Sequence, residues 1–261
     1  MTVKDIFLYP VKGLKGIRVD SAKLTNRGFE HDRRFMLVDE SGYFLSQRTH
    51  PQLATYTTTL LSDGAVTVSK GDQKLDITFA DVTDTVIEAG MFEHVFPVHV
   101  LANSVNQWWS AQLSQAVRMV AMTAADIRIK NYVGDGDSTE LSMADGYPFL
   151  VVGTASLQLL NSKLDDPVPM ERFRPSIVIN TETPHVEDSW KHISIGTEQF
   201  YIVKPCARCQ VITIDQQTGI KTKEPLRTLS TYQKVNNNVN FGANAVGNSE
   251  GFISVGDTVN T

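Results

Sequence analysis

The segment Lys204 to Gly219, KPCARCQVITIDQQTG, holds Cys206 and Cys209, the two cysteines of a 261-residue chain. A thiolate is both a nucleophile and a metal ligand, so a Cys-x-x-Cys pair is open to several chemistries. It can close a disulfide, supply half of a tetrahedral zinc site, exchange thiol for disulfide, or lend one sulfur to a soft metal whose other ligands come from a bulky organic cofactor. It can also be inert, as two partly buried small apolar residues. Zinc needs about four nitrogen or sulfur ligands, and the histidines form no H-x-x-x-H pair; His185 and His192 are the nearest to the cysteines. A thioredoxin-like pair opens a helix whose dipole lowers the thiol pKa, whereas the alternating run Gln210 to Ile214 reads as a strand. Lys204 and Arg208 flank the pair, and cationic neighbours favour the thiolate that a metal requires.

The chain around this motif is 41% hydrophobic and carries a formal net charge of −5. Such a length and composition bury a sizeable core without disulfide staples. An acidic chain has no global positive field to hold nucleic acid or an anionic membrane, although local basic pockets are compatible with it. The opening MTVKDIFLYPVKG has no basic region ahead of an apolar core, and the run YPFLVV is far shorter than a membrane span. The expectation is a soluble, cytoplasmic protein that binds neither nucleic acid nor membrane. With two cysteines in a reducing compartment, the pair is expected to be redox-active or metal-bound.

The elements that must position these residues are mostly strands. DIFLYPV, RVDSAKLT, RRFMLVD, YFLSQR, TYTTTLL, AVTVSK and KLDITFA alternate with period two between Gly and Asp turns, which predicts a β-barrel or strongly bent sheet. Ser104 to Val117, SVNQWWSAQLSQAV, changes to helical spacing with Ser104 as N-cap candidate. A Gly- and Asp-rich loop is expected over Asn131 to Glu140, then a strand in PFLVV and a helix over Ala155 to Leu164. FRPSIVIN, HISIGTEQFYIVK, CQVITID and GFISVGDTVN read as strands again. The fold class is therefore mostly β with a few helices, with a boundary expected between residues 90 and 115 and domains written as 1–100 and 101–261. Trp108, Trp109 and Trp190 read as packing residues, and no G-x-G-x-x-G or Walker loop supports a nucleotide site.

Taken together, KPCARCQVITIDQQTG, KEPLRTLSTYQ and FGANAVGNSEGFISVGDTV resemble the C-terminal core of MOSC domains, named for molybdenum cofactor sulfurases. LYPVKGLKGIRVDSAKLTNRGFEHDRRFMLVDESGYFLSQRTHPQLA resembles the β-barrel domain that precedes MOSC in mitochondrial amidoxime-reducing components and their bacterial relatives. DGYPFLVVGTASLQLLNSKL, RFRPSIVIN and EDSW are similar to the middle of the same group, so the blocks run in family order over almost the whole chain. The resemblance implies an N-terminal β-barrel-like domain followed by a MOSC β-barrel domain.

Residue by residue, the resemblance implies that Cys209 is the molybdenum ligand and Cys206 its companion. Asp145 stands for an acidic residue close to the metal, placed to bind a water ligand or assist proton delivery. Lys12 and Arg33 match cofactor contacts of the first domain, and Arg174 and Ser176 match contacts of the second. Gly13 and the pair Gly146 and Tyr147 replace Ser or Thr hydroxyls of relatives, so their backbone N–H groups would have to serve instead. The physical reading agrees: a pterin cofactor with a phosphate calls for guanidinium forks and an ammonium in a pocket. Asp32 reads as an ion-pair partner of Arg33.

The implied activity is reduction of N-hydroxylated compounds, such as amidoximes, hydroxylamines and N-hydroxylated base analogues, by a Mo-molybdopterin enzyme. Some bacterial relatives carry a ferredoxin-like module after the MOSC domain, whereas this chain stops at Thr261. A separate electron-donor protein, a flavin reductase or an iron–sulfur protein, is therefore expected, with a monomer as the default state. The alternative is a carrier that delivers molybdenum cofactor or sulfur without turnover.

Overall fold

The computed structural model describes residues 1–62, 64–131, 138–247 and 250–261. The chain is mostly strands, with an α-helix at Asn103–Leu113, another at Thr154–Asn161 and a single turn at Leu226–Leu229. Most of the loop expected over Asn131 to Glu140 lies outside the described residues. Its two flanks, Ile129–Asn131 and Ser138–Glu140, pair antiparallel.

A nine-stranded sheet takes strands from both ends of the chain. Ile17–Val19 pairs with Thr2–Leu8, which is followed in order by Ile177–Asn180, Phe149–Gly153, Asn238–Gly247, Glu198–Ala207, His192–Ile195 and Val259–Asn260, and Lys234–Val235 pairs off this path with Asn238–Gly247. The order returns on itself: Val3 donates to Asp257 O at 2.9 Å and Val259 to Met1 O at 2.8 Å. Val259–Asn260 thereby returns to the start of Thr2–Leu8, which closes the sheet as a barrel with Ile17–Val19 at its margin. Phe149, Val151, Ile177, Ile179, Phe200 and Trp190 fill one core cluster. Leu150 and Val152, the alternate residues of Phe149–Gly153, pack into another with Phe173, Ile212 and Phe241. A strand covered on both faces has no polar side to show, which is why the sequence there is a continuous apolar run. Phe149–Gly153 and Ile177–Asn180 run parallel, and Thr154–Asn161 is the helix in the crossover between them.

A second sheet orders Phe35–Asp39, Val117–Ala121, His94–Leu101 and Val82–Met91. It shares cores with a three-stranded sheet of Thr57–Leu60, Val66–Lys70 and Gln73–Ile77, and with Trp109 of the helix. That helix and Val117–Ala121 lie beyond residue 100 yet pack on first-half strands, while Thr2–Leu8 belongs to the second-half barrel. The two halves of the chain are thus interleaved.

Two expectations need correction. Ser104 does not cap its helix: Ala102 occupies the N-cap position with no side-chain bond. Asn106 anchors the region instead, donating to Leu101 O at 2.8 Å and accepting from Met119 N at 2.7 Å. The helix ends at Ser114, which adopts φ 54°, and Val117 already begins a strand. Nor is the run after Cys209 a strand: Gln210–Thr213 forms a 3₁₀ turn. The β-branched residues favour extension, but the turn is what carries Ile212 into the cluster with Phe173 and Phe241. No described helix is long and apolar enough to cross a membrane.

Candidate functional site

Lys12 lies in the turn after the first strand, where its backbone N–H donates to Phe35 O at 2.8 Å. Its side chain is 8% exposed, and the ammonium donates to Met143 O at 2.9 Å and to the Asp145 carboxylate. Gly13 continues the turn at φ +89°, a conformation suited to glycine, and its carbonyl accepts from Gln47 Nε2 at 2.8 Å.

Tyr9 organises the next two residues. The chain turns back through His31 and Arg33, both with positive φ, so that Arg33 N donates to Tyr9 O at 2.8 Å. Asp32 is 2% exposed; it accepts from Tyr9 N at 2.7 Å and pairs with the Arg33 guanidinium, as its position beside Arg33 suggested. Arg174, from the other half of the chain, ends the 3₁₀ turn Met170–Phe173 at φ 54° and donates to Leu14 O at 2.6 Å. The guanidinium carbons of Arg33 and Arg174 lie 4.8 and 4.3 Å from the Tyr9 ring centroid. One buried ring thus holds two like charges together. The Tyr9 hydroxyl donates to Pro175 O at 3.1 Å.

Ser176 is buried, and its hydroxyl accepts from Leu150 N at 3.3 Å, so it splices two barrel strands. Asp145 opens to solvent with its side chain 66% exposed. A Cβ built on Gly146 meets nothing within 4 Å, so this position has room for a side chain. Tyr147 lies between Lys130 and Lys204, each Nζ 5.5 Å from its ring centroid.

Cys206 lies near the end of the long strand Glu198–Ala207 and Cys209 just beyond it; the strand's register slips twice, between Ile202 and Lys204 and between Pro205 and Ala207. Such irregularities re-aim side chains at a strand end. Cys206 packs against the apolar cluster around Phe173 and receives Arg208 Nη1 at 3.1 Å. Cys209 is exposed, and both thiols are free. No group of three or more His, Cys, Asp or Glu able to hold a metal is found among the described residues.

All nine residues singled out from sequence, Lys12, Gly13, Arg33, Asp145, Gly146, Tyr147, Arg174, Ser176 and Cys209, line one open cavity of about 410 Å³. Arg48, Lys130, Lys204 and Arg208 join Lys12, Arg33 and Arg174 around it, against the single carboxylate of Asp145 among the described lining residues. On a chain of net charge −5 this is a concentrated positive site. Desolvation by the surrounding cavity walls pushes the Asp145 carboxyl up even though its side chain reaches solvent, but the Lys12 charge and hydrogen bond, with Arg33 and Arg48, outweigh it and hold the group at about 2. Burial pushes Lys12 down despite the Asp145 carboxylate, and lowers Arg174 to about 10. Tyr9, Arg48, Lys130 and Phe92 escaped the sequence reading; Tyr9, three residues before Lys12, had a neighbour that could have flagged it.

Residues 1–116 match the family model described as the MOSC N-terminal beta barrel domain, and residues 138–260 match that of the MOSC domain. The chain is 31% identical over 282 residues to mitochondrial amidoxime-reducing component 1 of Homo sapiens, covering 99% of this chain and 82% of that one. It is 31% identical over 246 residues to the Mus musculus protein of the same name, covering 89% and 71%. Against the molybdenum cofactor sulfurase of Oryza sativa subsp. japonica it is 30% identical over 261 residues, covering 92% of this chain and 32% of that protein. The chain spans about a third of the length of the sulfurases it matches.

Proposed function

Because this chain belongs to the MOSC-domain family, in the group that joins the N-terminal MOSC β-barrel domain to the MOSC domain, we propose that it is a molybdenum-cofactor-dependent reductase of N-hydroxylated compounds. The observation that carries the proposal is an exposed, free Cys209 thiol on the wall of a cavity whose floor is buried cation. The donor set fits the group. One thiolate suits a metal whose other sulfur ligands come with the cofactor, while Lys12, Arg33 and Arg174 suit its phosphate and pterin. Arg208 lines the same wall with a buried Nε that has no hydrogen-bond partner among the described residues. Relatives that bear the amidoxime-reducing name support the substrate class.

For an amidoxime the balanced reaction is R–C(NH₂)=N–OH + 2 e⁻ + 2 H⁺ → R–C(NH₂)=NH + H₂O. The cofactor, when bound, supplies the two-electron chemistry. A carboxyl held at about 2 carries no proton at neutral pH, so Asp145 acts as an acceptor that orients the N–OH group. One of the two protons required by loss of water is held at Lys12 Nζ, which burial makes easier to deprotonate, and the other comes from solvent at the open cavity. Solvent then reprotonates Lys12. Electrons come from a separate donor protein.

The test is molybdenum content by elemental analysis of protein made in a cofactor-competent host. Cys209→Ala is expected to lose the metal and Cys206→Ala to keep it; metal indifferent to Cys209 would sink the ligand assignment. Asp145→Asn is expected to keep molybdenum and lose turnover, and full activity removes Asp145 from the mechanism. The sulfurase relatives favour a second reading, a carrier of cofactor or sulfur. A carrier releases cofactor to an apo-enzyme, whereas a reductase retains it through purification and turns over N-hydroxy compounds with a chemical electron donor.

A further inference from the structure

The cavity has two tiers of charge. At the floor each of two cations has a carboxylate partner, Lys12 with Asp145 and Arg33 with Asp32. At the mouth, Arg48, Lys130 and Lys204 have none among the described residues, although the chain carries 29 Asp and Glu. Each lies over an aromatic ring instead. Arg48 is 4.8 Å from the Phe92 centroid and 5.6 Å from Phe44; Lys130 and Lys204 share Tyr147. Phe44 joins the tiers, because Lys12 lies over the same ring at 5.4 Å.

Phe92 is the unusual member. It begins the two-residue turn between the strands Val82–Met91 and His94–Leu101, in which His94 pairs with Met91. Its φ of 56° suits Gly or Asn, and a bulky residue is rare there. Yet the ring is 40% exposed and lines the cavity rather than filling a core. A strained, exposed aromatic beside unpaired cations is surface arranged for a ligand rather than for folding.

Neutral amidoximes give these cations nothing to bind. Resting on the reductase reading, we infer that the mouth selects planar N-hydroxylated substrates bearing an anionic group, phosphate or carboxylate. The substrate ring lies against Phe92 or Tyr147, the anion is held by Arg48, Lys130 and Lys204, and the N–OH end reaches Asp145. Stacking and guanidinium or ammonium contacts both operate on such a molecule, and only on such a molecule.

The experiment uses the molybdenum-loaded protein and a chemical electron donor. The kcat/KM ratio is measured for two pairs, 4-carboxybenzamidoxime over benzamidoxime and N4-hydroxycytidine 5′-monophosphate over N4-hydroxycytidine. The anionic member of at least one pair is expected to be favoured about tenfold or more at low salt, with the advantage shrinking as salt screens it. Preference in the nucleotide pair alone assigns a phosphate site; preference in both assigns a general anion site. The double variant Lys130→Gln, Lys204→Gln, and separately Arg48→Gln, are expected to erase the ratio through KM while molybdenum content stays at the wild-type level. Phe92→Gly, which suits the turn's backbone, is expected to raise KM for the ring substrates without loss of thermal stability.

Equal turnover of both members of each pair overturns the inference and leaves the reductase reading standing. Turnover of none of the four overturns both. Loss of molybdenum from the Lys130, Lys204 double variant assigns those cations to the cofactor and overturns the inference. So does a defect seen only with a protein electron donor, which would make the mouth a docking surface.

Discussion

The Tyr9 ring is expected to be the part of the site whose removal costs most stability. It is 1% exposed, lies within 4.8 Å of two guanidinium groups and donates a hydrogen bond to Pro175 O. Arg33 and Arg174 repel each other, and the ring face offsets that repulsion. A desolvated cation–π contact is worth about 1–2 kcal/mol, so the two together give roughly 2–4 kcal/mol. Loss of a buried hydroxyl bond costs about 1 kcal/mol. Tyr9→Phe keeps the ring and loses only the hydroxyl; Tyr9→Leu loses both while keeping most of the volume. At about 2–4 °C per kcal/mol for a chain near this size, Tyr9→Phe is expected to lower Tm by ~2–4 °C and Tyr9→Leu, which loses roughly 3–5 kcal/mol, by ~6–20 °C. The assay is thermal unfolding of cofactor-free protein followed by circular dichroism, with molybdenum content of the loaded forms read in parallel. Molybdenum retention is expected to survive Tyr9→Phe and to drop in Tyr9→Leu. Equal melting temperatures for the two variants would refute the idea that the ring holds the arginines.

Three further outcomes follow from the same geometry. A Cβ on Gly16 would sit 2.5 Å from Tyr9 Cε1, so Gly16→Ala is expected to cost about 1–3 kcal/mol by overpacking and to lower molybdenum retention, measured by urea unfolding and elemental analysis. In Lys12→Met the Asp145 carboxyl loses the charge that holds it at about 2, so its ¹³C titration is expected to move up; an unmoved titration would acquit Lys12 as the cause. Asp188 is raised to about 7 by burial and by the neighbouring Glu187, whose side chain is fully buried. The folded form therefore binds the proton more tightly than the unfolded chain, and that stabilisation is complete below the unfolded value of 3.8 and lost as pH rises through about 7. Asp188→Asn is accordingly expected to flatten Tm between pH 4 and 7 and to raise stability at pH 8 by at most ~4 kcal/mol, less after screening.

Local pattern made much of this protein legible in its sequence. Period-two runs announced the strands, because a residue's side of a sheet is decided by its parity. The unbroken run PFLVV announced a strand with both faces covered, and Trp109 and Trp190 lie in cores. The blocks that resemble MOSC proteins pointed to residues between Lys12 and Cys209 that the fold gathers in one cavity. Other features depended on contacts between distant segments. A β-branched run after Cys209 is compatible with extension or a 3₁₀ turn, and Ile212 settles the choice by reaching Phe173 and Phe241. The return of Val259 to Met1 closes the barrel through partners no local pattern can name. Tyr9 reads as an ordinary strand residue until Arg33 and Arg174 arrive over its ring. Arg48, Lys130 and Lys204 look like solvated surface charges until the fold sets them at a cavity mouth with no carboxylate partner among the described residues. A side chain's period and hydrophobicity are local properties written in sequence, whereas its partners, its dielectric and hence its charge state belong to the space that the folded chain encloses.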